Sequence, residues 1–452
     1  MNKEENKKIL IVGGGVAGCV AFWHGVKSGY DVILCESSSS LGGRLRSRKD
    51  KITGDEIDNG QHLMMGAYNV FLDFISDMGL MSSLDIQDKL RIPYYLNGRK
   101  IKLEKKIGGQ IGMLSAILSL DGLTLVEKIS VIKMVIKIRL GMLRCLGKTC
   151  GELFKKEKQN ENIIKILWEP IILATLNTKV SEASAELFVE VLRQVFLGSE
   201  FNSKLIIPKI SLAKLFSPLE SWTKNNIDKK QKAELKMNTT VKTLIYNGDK
   251  CIGVRSARGE EVFADYVVST LPANRISRLL SDEKLNNILN KFDYSPIISI
   301  YLWFDKIFLD DDILGLLNTK TQWLFSKKNN RVQGADFEKY PEFLTATISA
   351  RDEFVKMSSE DIVDLCFDEI KENIPKSKNS NLLHYKLIRE KNATIIQNPK
   401  TDELRKNIQI LNKIKNSTLF FAGDWTWTGL PATIESAARS GRDAVERIRN
   451  TY

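Results

Sequence analysis

Lys8-Ile9-Leu10-Ile11-Val12-Gly13-Gly14-Gly15-Val16-Ala17-Gly18 decides the architecture of this 452-residue chain. Lys8–Val12 is a short β-rich apolar run and residues 19–27 are helix-compatible, so the segment predicts strand, tight turn and helix. Gly13 permits the turn, Gly15 lets the backbone approach a pyrophosphate, and Gly18 lets the helix pack closely on the strand. With Gly14, Val16 and Ala17, these residues offer an anion the free amides and positive dipole end of a helix N-terminus. A second apolar run, residues 30–35, ends at Glu36. A carboxylate there accepts hydrogen bonds from ribose hydroxyls and repels a 2′-phosphate, which argues against NADP.

Leu41-Gly42-Gly43-Arg44 comes next. The glycine pair lets the chain pass close to a pyrophosphate, and Arg44 can grip it with a bidentate fork, Arg46 reinforcing. A simple nicotinamide dehydrogenase needs no such second pair. Far downstream, residues 418–422 read as a buried strand. Gly423-Asp424-Trp425-Thr426 and Gly429-Leu430-Pro431-Ala432-Thr433-Ile434-Glu435 follow it. A helix is predicted from Pro431, since proline suits a first turn. The two ends of the chain together read as one FAD site. Asp424 would bind a ribityl hydroxyl or face the flavin phosphates; its plainer role is a helix N-cap. Pro431, Ala432 and Thr433 would aim amides at the electron-rich N1–C2=O edge of the ring, which favours reduced flavin.

Asp58-Asn59-Gly60-Gln61-His62-Leu63-Met64-Met65-Gly66-Ala67-Tyr68 resembles the signature of hydroxysqualene dehydroxylases, within the flavin amine oxidase and carotenoid desaturase superfamily. Leu167-Trp168-Glu169-Pro170, Leu176-Asn177-Thr178 and Phe196-Leu197-Gly198 are similar to the same family, as is the tail from Gly423. Met64 and Met65 replace the usual leucines, and Ser436 stands where the family commonly has glycine. The resemblance implies an α/β fold: an FAD-binding Rossmann-like (GR2-type) domain with an inserted α+β substrate domain of mixed sheet plus helices. It also implies non-covalent FAD and a squalene-length isoprenoid alcohol whose hydroxyl is replaced by hydride, giving squalene for hopanoid synthesis. In related flavoproteins a valine like Val241 lays its backbone against the adenine, with Thr270 nearby.

The expected FAD-binding domain is discontinuous: residues 1–95, 233–274 and 416–452. Residues 240–245 and 251–255 alternate across Asn247-Gly248-Asp249 as a hairpin, and residues 262–270 continue that meander. The expected substrate domain comprises 96–232, mostly helical, and 275–415, with strands at 297–304, 322–326 and 343–349 and a helix at 361–374. No run of 18 apolar residues appears, so no transmembrane helix is expected. The apolar run after Lys7 and Lys8 contains the fingerprint glycines and is not read as a secretory signal. The six scattered cysteines read as buried thiols of a cytoplasmic protein, with no metal site.

The net charge is +12, and residues 91–148 hold twelve lysines and arginines against three acids. No nucleic-acid signature accompanies this surplus. Residues 111–146 interleave Leu, Ile and Met with Lys128, Lys133, Lys137, Arg139 and Arg144, as helices lying on an anionic bilayer do; two ordinary amphipathic helices would read alike. The family resemblance implies an apolar isoprenoid partner and, because a polyene must be collected from a membrane, contact with the inner face of one. With no second dinucleotide fingerprint, the electron donor that recharges FAD is unknown.

Gly60, Gln61 and His62 are expected on a loop passing the flavin ring. His62, as imidazolium, would protonate the departing hydroxyl; Asp58 is the alternative acid, or the group that orients His62. His24 and His384 read as structural. Trp168, Glu169, Trp323 and Trp425 are candidates for stabilising an allylic cation. Three competing readings remain: a phytoene or carotenoid desaturase running hydride towards the flavin, a flavin amine oxidase, and a non-catalytic lipid-binding protein that keeps FAD for structure.

Overall fold

The computed structural model describes residues 6–107, 112–328, 331, 335–411 and 417–450. The first strand, Lys8–Val12, is buried along almost its whole length, as strands covered on both faces are. It sits at the centre of a five-stranded parallel sheet in the order Ala233–Lys236, Asp31–Cys35, Lys8–Val12, Tyr266–Ser269, Leu419–Phe421. Its strands thus come from three separated parts of the chain.

The glycine turn leads into helix Val16–Lys27, which packs against the C-terminal helix Ile434–Arg449. A Cβ on Gly441 would stand 2.2 Å from the Ala17 carbonyl oxygen, so the two helices meet at backbone distance there. That contact brings the two ends of the chain onto one face of the sheet.

Val241–Asn247 and Lys250–Ser256 form the expected hairpin, turning at Gly248 with φ +57°. The meander does not run on to residue 270. Glu261–Phe263 closes the three-stranded sheet; the amide of Ala264 bonds Ile252 and that of Asp265 bonds Lys8. The chain therefore changes sheets at these two residues, and Tyr266–Ser269 joins the parallel sheet.

A seven-stranded sheet forms the second layer, ordered Leu382–Ile395, Tyr294–Phe304, Glu342–Ser349, Trp323–Ser326, Ile313–Leu317, Arg91–Leu96, Arg99–Glu104. The expected strands at 297–304, 322–326 and 343–349 lie in it. The hairpin Arg91–Leu96/Arg99–Glu104 also belongs to it, so the expected boundary at residue 95 falls inside a hairpin. The boundary at 415/416 lies outside the described residues. Helix Ser359–Asn373 covers one face, capped by Ser358.

The helical layer runs from Gly112–Ser119 through Leu125–Arg139 to Ala185–Val191. Residue 111, where membrane-lying helices were expected to begin, is outside the described residues. Two α-helices occupy the rest of that stretch, the second opened by a Thr124/Glu127 capping box. Trp168 lies at the centre of this layer, stacked on Phe154 and edge-on to Phe188, with its indole N–H on Gln159. It is a core residue and unsuited to the cation role. Trp425 is likewise buried, against Phe292 and Phe421, and donates to the Leu271 carbonyl. All six cysteines are free and buried.

Candidate functional site

The glycine turn lies at the C-terminal end of the parallel sheet, where α/β sheets bind ligands. Gly13 has φ +106°, and its amide donates to the Cys35 carbonyl at 2.8 Å. A Cβ on Gly18 would come within 1.8 Å of the Gly13 oxygen. One on Gly15 would meet nothing within 4 Å, so that face of the turn is open to a phosphate. The two glycine segments are sutured together: the Gly42 amide donates to the Gly14 carbonyl at 2.8 Å, and a Cβ on Gly43 would stand 3.1 Å from the Gly15 Cα. Residues 13–18 and 42–43 therefore form one wall that a pyrophosphate fits.

Glu36 reaches this wall. One carboxylate oxygen accepts from the Gly14 amide at 2.6 Å, and the other accepts from the Ser38 amide at 2.7 Å. The Glu36 carbonyl takes the Thr239 amide, which seats the start of strand Val241–Asn247 beside it. Thr270 closes the other side, its hydroxyl shared between the carbonyls of Val12 and Gly13.

Arg44 crosses to the tail. Its guanidinium donates to Asp424 Oδ1 at 2.6 Å and to the Ala393 carbonyl at 2.7 Å. The expected fork is thus divided between a carboxylate and a carbonyl, because Asp424 is a buried charge that needs a partner. Asp424 raises the Arg44 pKa further. The Arg44 side chain keeps 42% exposure, so a ligand can still meet it.

The tail helix starts later than expected. Thr433 is its N-cap, accepting the Ser436 amide at 3.3 Å, and the first helical residue is Ile434. A threonine hydroxyl can satisfy a first-turn amide, which Pro431 cannot. The Ala432 amide is not offered to a ligand: it donates to Gln397 Oε1 at 2.7 Å. The donors left for a ligand are first-turn amides such as Ile434 and Glu435, which have no intrahelical acceptor. Glu435 itself caps a neighbour, accepting from the amides of Val70 and Phe71 at the start of helix Asn69–Asp77.

The loop of residues 59–63 runs between this tail and the seven-stranded sheet. Gly60 has φ +97°, and its missing Cβ would lie 3.2 Å from Ser299 Oγ. Tyr301 donates to the Asp58 carbonyl at 2.7 Å. The Asp58 carboxylate is already engaged: it accepts from Ser47, from the Leu212 amide and from buried Lys327 at 3.3 Å. It makes no hydrogen bond to His62 among the described residues, so its part as acid or orienter is not supported by the geometry. It holds the loop's base. Gln61 Oε1 is buried without a partner, an acceptor waiting for a donor.

Protein surrounds His62, although the side chain is not wholly shut off from solvent. Burial lowers its pKa to about 4; nearby Asp58 opposes this, while Arg44 and Lys327 add to it. At neutral pH His62 is an uncharged imidazole in this state, not the imidazolium expected. Leu63 and Met65 pack on the apolar core of the helical layer, as does Trp427 from the tail. The loop therefore has a phosphate-binding wall on one side and an apolar layer on the other.

Two residues absent from the sequence reading bind the site together. Gln397, fully buried, donates to the Leu176 carbonyl at 2.7 Å in addition to holding the Ala432 amide. Arg405, also fully buried, donates to the carbonyls of Asp424, Thr426 and Leu430. Both serve backbone groups, so no side-chain pairing in the sequence announces them. Gln397 follows two apolar residues, Ile395 and Ile396, which is a signal for it, whereas Arg405 stands among polar and charged neighbours and nothing local marks it.

The model of the family described as flavin containing amine oxidoreductase matches residues 16–449. A hydroxysqualene dehydroxylase from Sinorhizobium fredii is 25% identical over 97% of this chain and 98% of its own length. A 15-cis-phytoene desaturase from an Oncidium hybrid cultivar is 22% identical over 98% of this chain and 78% of its own. An oxidoreductase structure from Methanosarcina mazei superposes with TM-score 0.73 at 17% identity, covering 97% of this chain and 100% of the other. A putrescine oxidase structure gives TM-score 0.73 at 13% identity, over 98% and 99%. With the glycine walls, Glu36 and the Arg44–Asp424 pair gathered at one end of the parallel sheet, the chain belongs to the flavin-containing amine oxidoreductase family and is a flavin-dependent oxidoreductase.

Proposed function

We propose that the chain binds FAD non-covalently and reductively removes the hydroxyl of hydroxysqualene, giving squalene for hopanoid synthesis. The observation that carries this reading is the full-length likeness to proteins named hydroxysqualene dehydroxylase. The apolar layer behind Leu63, Met65 and Trp427 supports a polyene beside that loop. Residues 13–18 and 42–43, with Glu36, Arg44, Thr270, Val241 and Asp424, would hold the dinucleotide. The first-turn amides after Thr433 would meet the electron-rich edge of its ring.

Bound there in reduced form, flavin supplies a hydride equivalent. The alcohol, one hydride and one proton give the hydrocarbon and water. The chain must therefore deliver a proton to the leaving oxygen and keep bulk water from the allylic carbon. His62 is the group that meets the hydroxyl. Its neutral imidazole can hydrogen-bond the oxygen, and negative charge brought beside it would raise its pKa towards neutrality. Gln61 Oε1 offers the acceptor that fixes the hydroxyl hydrogen. The substrate is collected at the inner face of a cytoplasmic membrane; among the described residues no helix is long and apolar enough to cross one.

The likeness to phytoene desaturases favours one second reading, in which the chain desaturates a carotenoid precursor. Anaerobic incubation of the purified protein with reduced FAD and hydroxysqualene separates the two. Squalene detected by mass spectrometry supports the first. No squalene, with conjugated polyene formed from phytoene and oxidised FAD, establishes the second.

A further inference from the structure

Helix Leu125–Arg139 is apolar on both sides. Val131, Met134, Val135 and Ile138 face inward to the helical core. Leu125, Ile129, Ile136 and Leu140, at i, i+4, i+11 and i+15, share the opposite, exposed side. Val126 beside them is 78% exposed, and Met142 and Leu146 extend the patch. Of seventeen large apolar side chains exposed among the described residues, nine lie between Ile107 and Leu146. An ordinary soluble face scatters such residues singly. Lys133 and Arg144 are exposed within this stretch, Lys128 is partly buried beside them, and Glu127 is turned into the core. The face is thus apolar with a basic margin.

We propose that this face is a docking surface for an anionic lipid bilayer. The helix lies flat, its outer aliphatic side chains enter the acyl boundary, and the basic side chains meet headgroup phosphates. The inner side of the same layer packs against Leu63 and Met65 of the His62 loop, which sets the membrane opposite the apolar side of the site. The proposal rests on the isoprenoid reading only for why such a face is needed.

The test is sedimentation of the flavin-loaded full chain with vesicles of phosphatidylcholine alone and of phosphatidylcholine with phosphatidylglycerol. Binding to the anionic vesicles, weakened by salt, is expected. The variant Val126→Ser/Ile129→Ser/Ile136→Ser should lose at least about tenfold in vesicle affinity, with unchanged flavin content and unchanged turnover of detergent-dispersed substrate. Wild-type vesicle binding by the variant overturns the proposal. So does a concentration-dependent dimer that the variant abolishes, with no vesicle binding by either form. Vesicle binding without conversion of hydroxysqualene leaves the surface standing and removes the reaction instead.

A second inference has its own observation, the junction at Gln397 and Arg405. The Gln397 main chain accepts the Ser184 amide at 2.8 Å and donates to Thr178 Oγ1 at 3.0 Å, so this residue ties the helical layer to the Ala432 turn. The geometry points to Gln397 and Arg405 as positioning residues for the tail that carries Asp424 and the first-turn amides. Gln397→Leu and Arg405→Met should bind flavin at least several-fold more weakly and shift its midpoint potential to more negative values, because donors to the reduced ring lose their alignment. Gln397→Glu and Arg405→Lys, which keep part of the hydrogen bonding, should recover part of both. Lower thermal stability with unchanged potential and flavin affinity would reduce the pair to a structural role and overturn the inference.

Discussion

At the scale of single residues, two buried titratable groups pull stability in opposite directions with pH. His62 is held below its ordinary value, at about 4, chiefly by burial. Its contribution is present above its unfolded value near 6.5 and is lost as pH falls towards 4. Burial instead raises Asp402, to about 6, so its contribution is present below about 3.8 and is lost as pH rises through 6. Between those limits the two oppose each other. His62→Asn removes one arm, so the variant should gain on the wild type in acid, by up to about 3 kcal/mol between pH 7 and 4. Urea unfolding of the flavin-free protein at both pH values measures this; a pH-independent difference would sink the assignment. Gly18 gives a second prediction. Gly18→Ala puts a methyl within 1.8 Å of the Gly13 oxygen, so the turn must move. Near-complete loss of bound flavin is expected from the absorbance of the purified protein, with a stability loss of about 2–4 kcal/mol. The glycines were legible in the sequence because each answers a local steric demand. The state of His62 was not, because Arg44, Lys327 and the burial that set it come from distant parts of the chain.

At the scale of elements, helix ends decide what the site can offer. Thr433 starts the tail helix, and its hydroxyl satisfies one first-turn amide. Thr433→Ala should cost about 1 kcal/mol and weaken flavin binding several-fold, whereas Thr433→Ser should restore both. Fluorescence titration of free flavin with each variant reads the effect, and equal affinities for alanine and threonine would remove Thr433 from the site. Strong periodicity and local turn chemistry made several elements legible: the first strand and helix, the hairpin at Gly248, and the strand Tyr294–Phe304. The edge strand Leu382–Ile395 was not read as one. It is half-exposed and polar along most of its length, and its pairing with Tyr294–Phe304 across a long connection supplies its order. The tail helix was placed three residues early because proline at 431 satisfied the pattern, and only the side-chain bond of Thr433 distinguishes the true cap.

At the scale of the molecule, the helical layer, the seven-stranded sheet and the tail must move as one for the site to keep its shape. Asn177 is a joint between the first two. It ends helix Glu169–Leu176 in the left-handed region, φ 47°, where asparagine is favoured over most residues. Its side chain donates to the Ser295 carbonyl at 3.3 Å and to Thr394 Oγ1 at 3.1 Å, and accepts the Ala350 amide at 2.9 Å. This is the physical content of the Leu176-Asn177-Thr178 motif, and neighbouring Leu176 and Thr178 bond Gln397 beneath the tail. Asn177→Ala should cost about 2–4 kcal/mol, from backbone strain plus buried groups left unpaired. Asn177→Gly, free of the strain, should cost about 1 kcal/mol less. The loss should also loosen the joint before the whole unfolds. Flavin release should then precede the loss of helical circular dichroism, to which the helical layer contributes. In the wild type the two transitions should coincide, as they do for one cooperative unit. Coincident transitions in Asn177→Ala would show that layer and flavin end are coupled elsewhere, and would leave the residue a stabiliser of its own helix end alone.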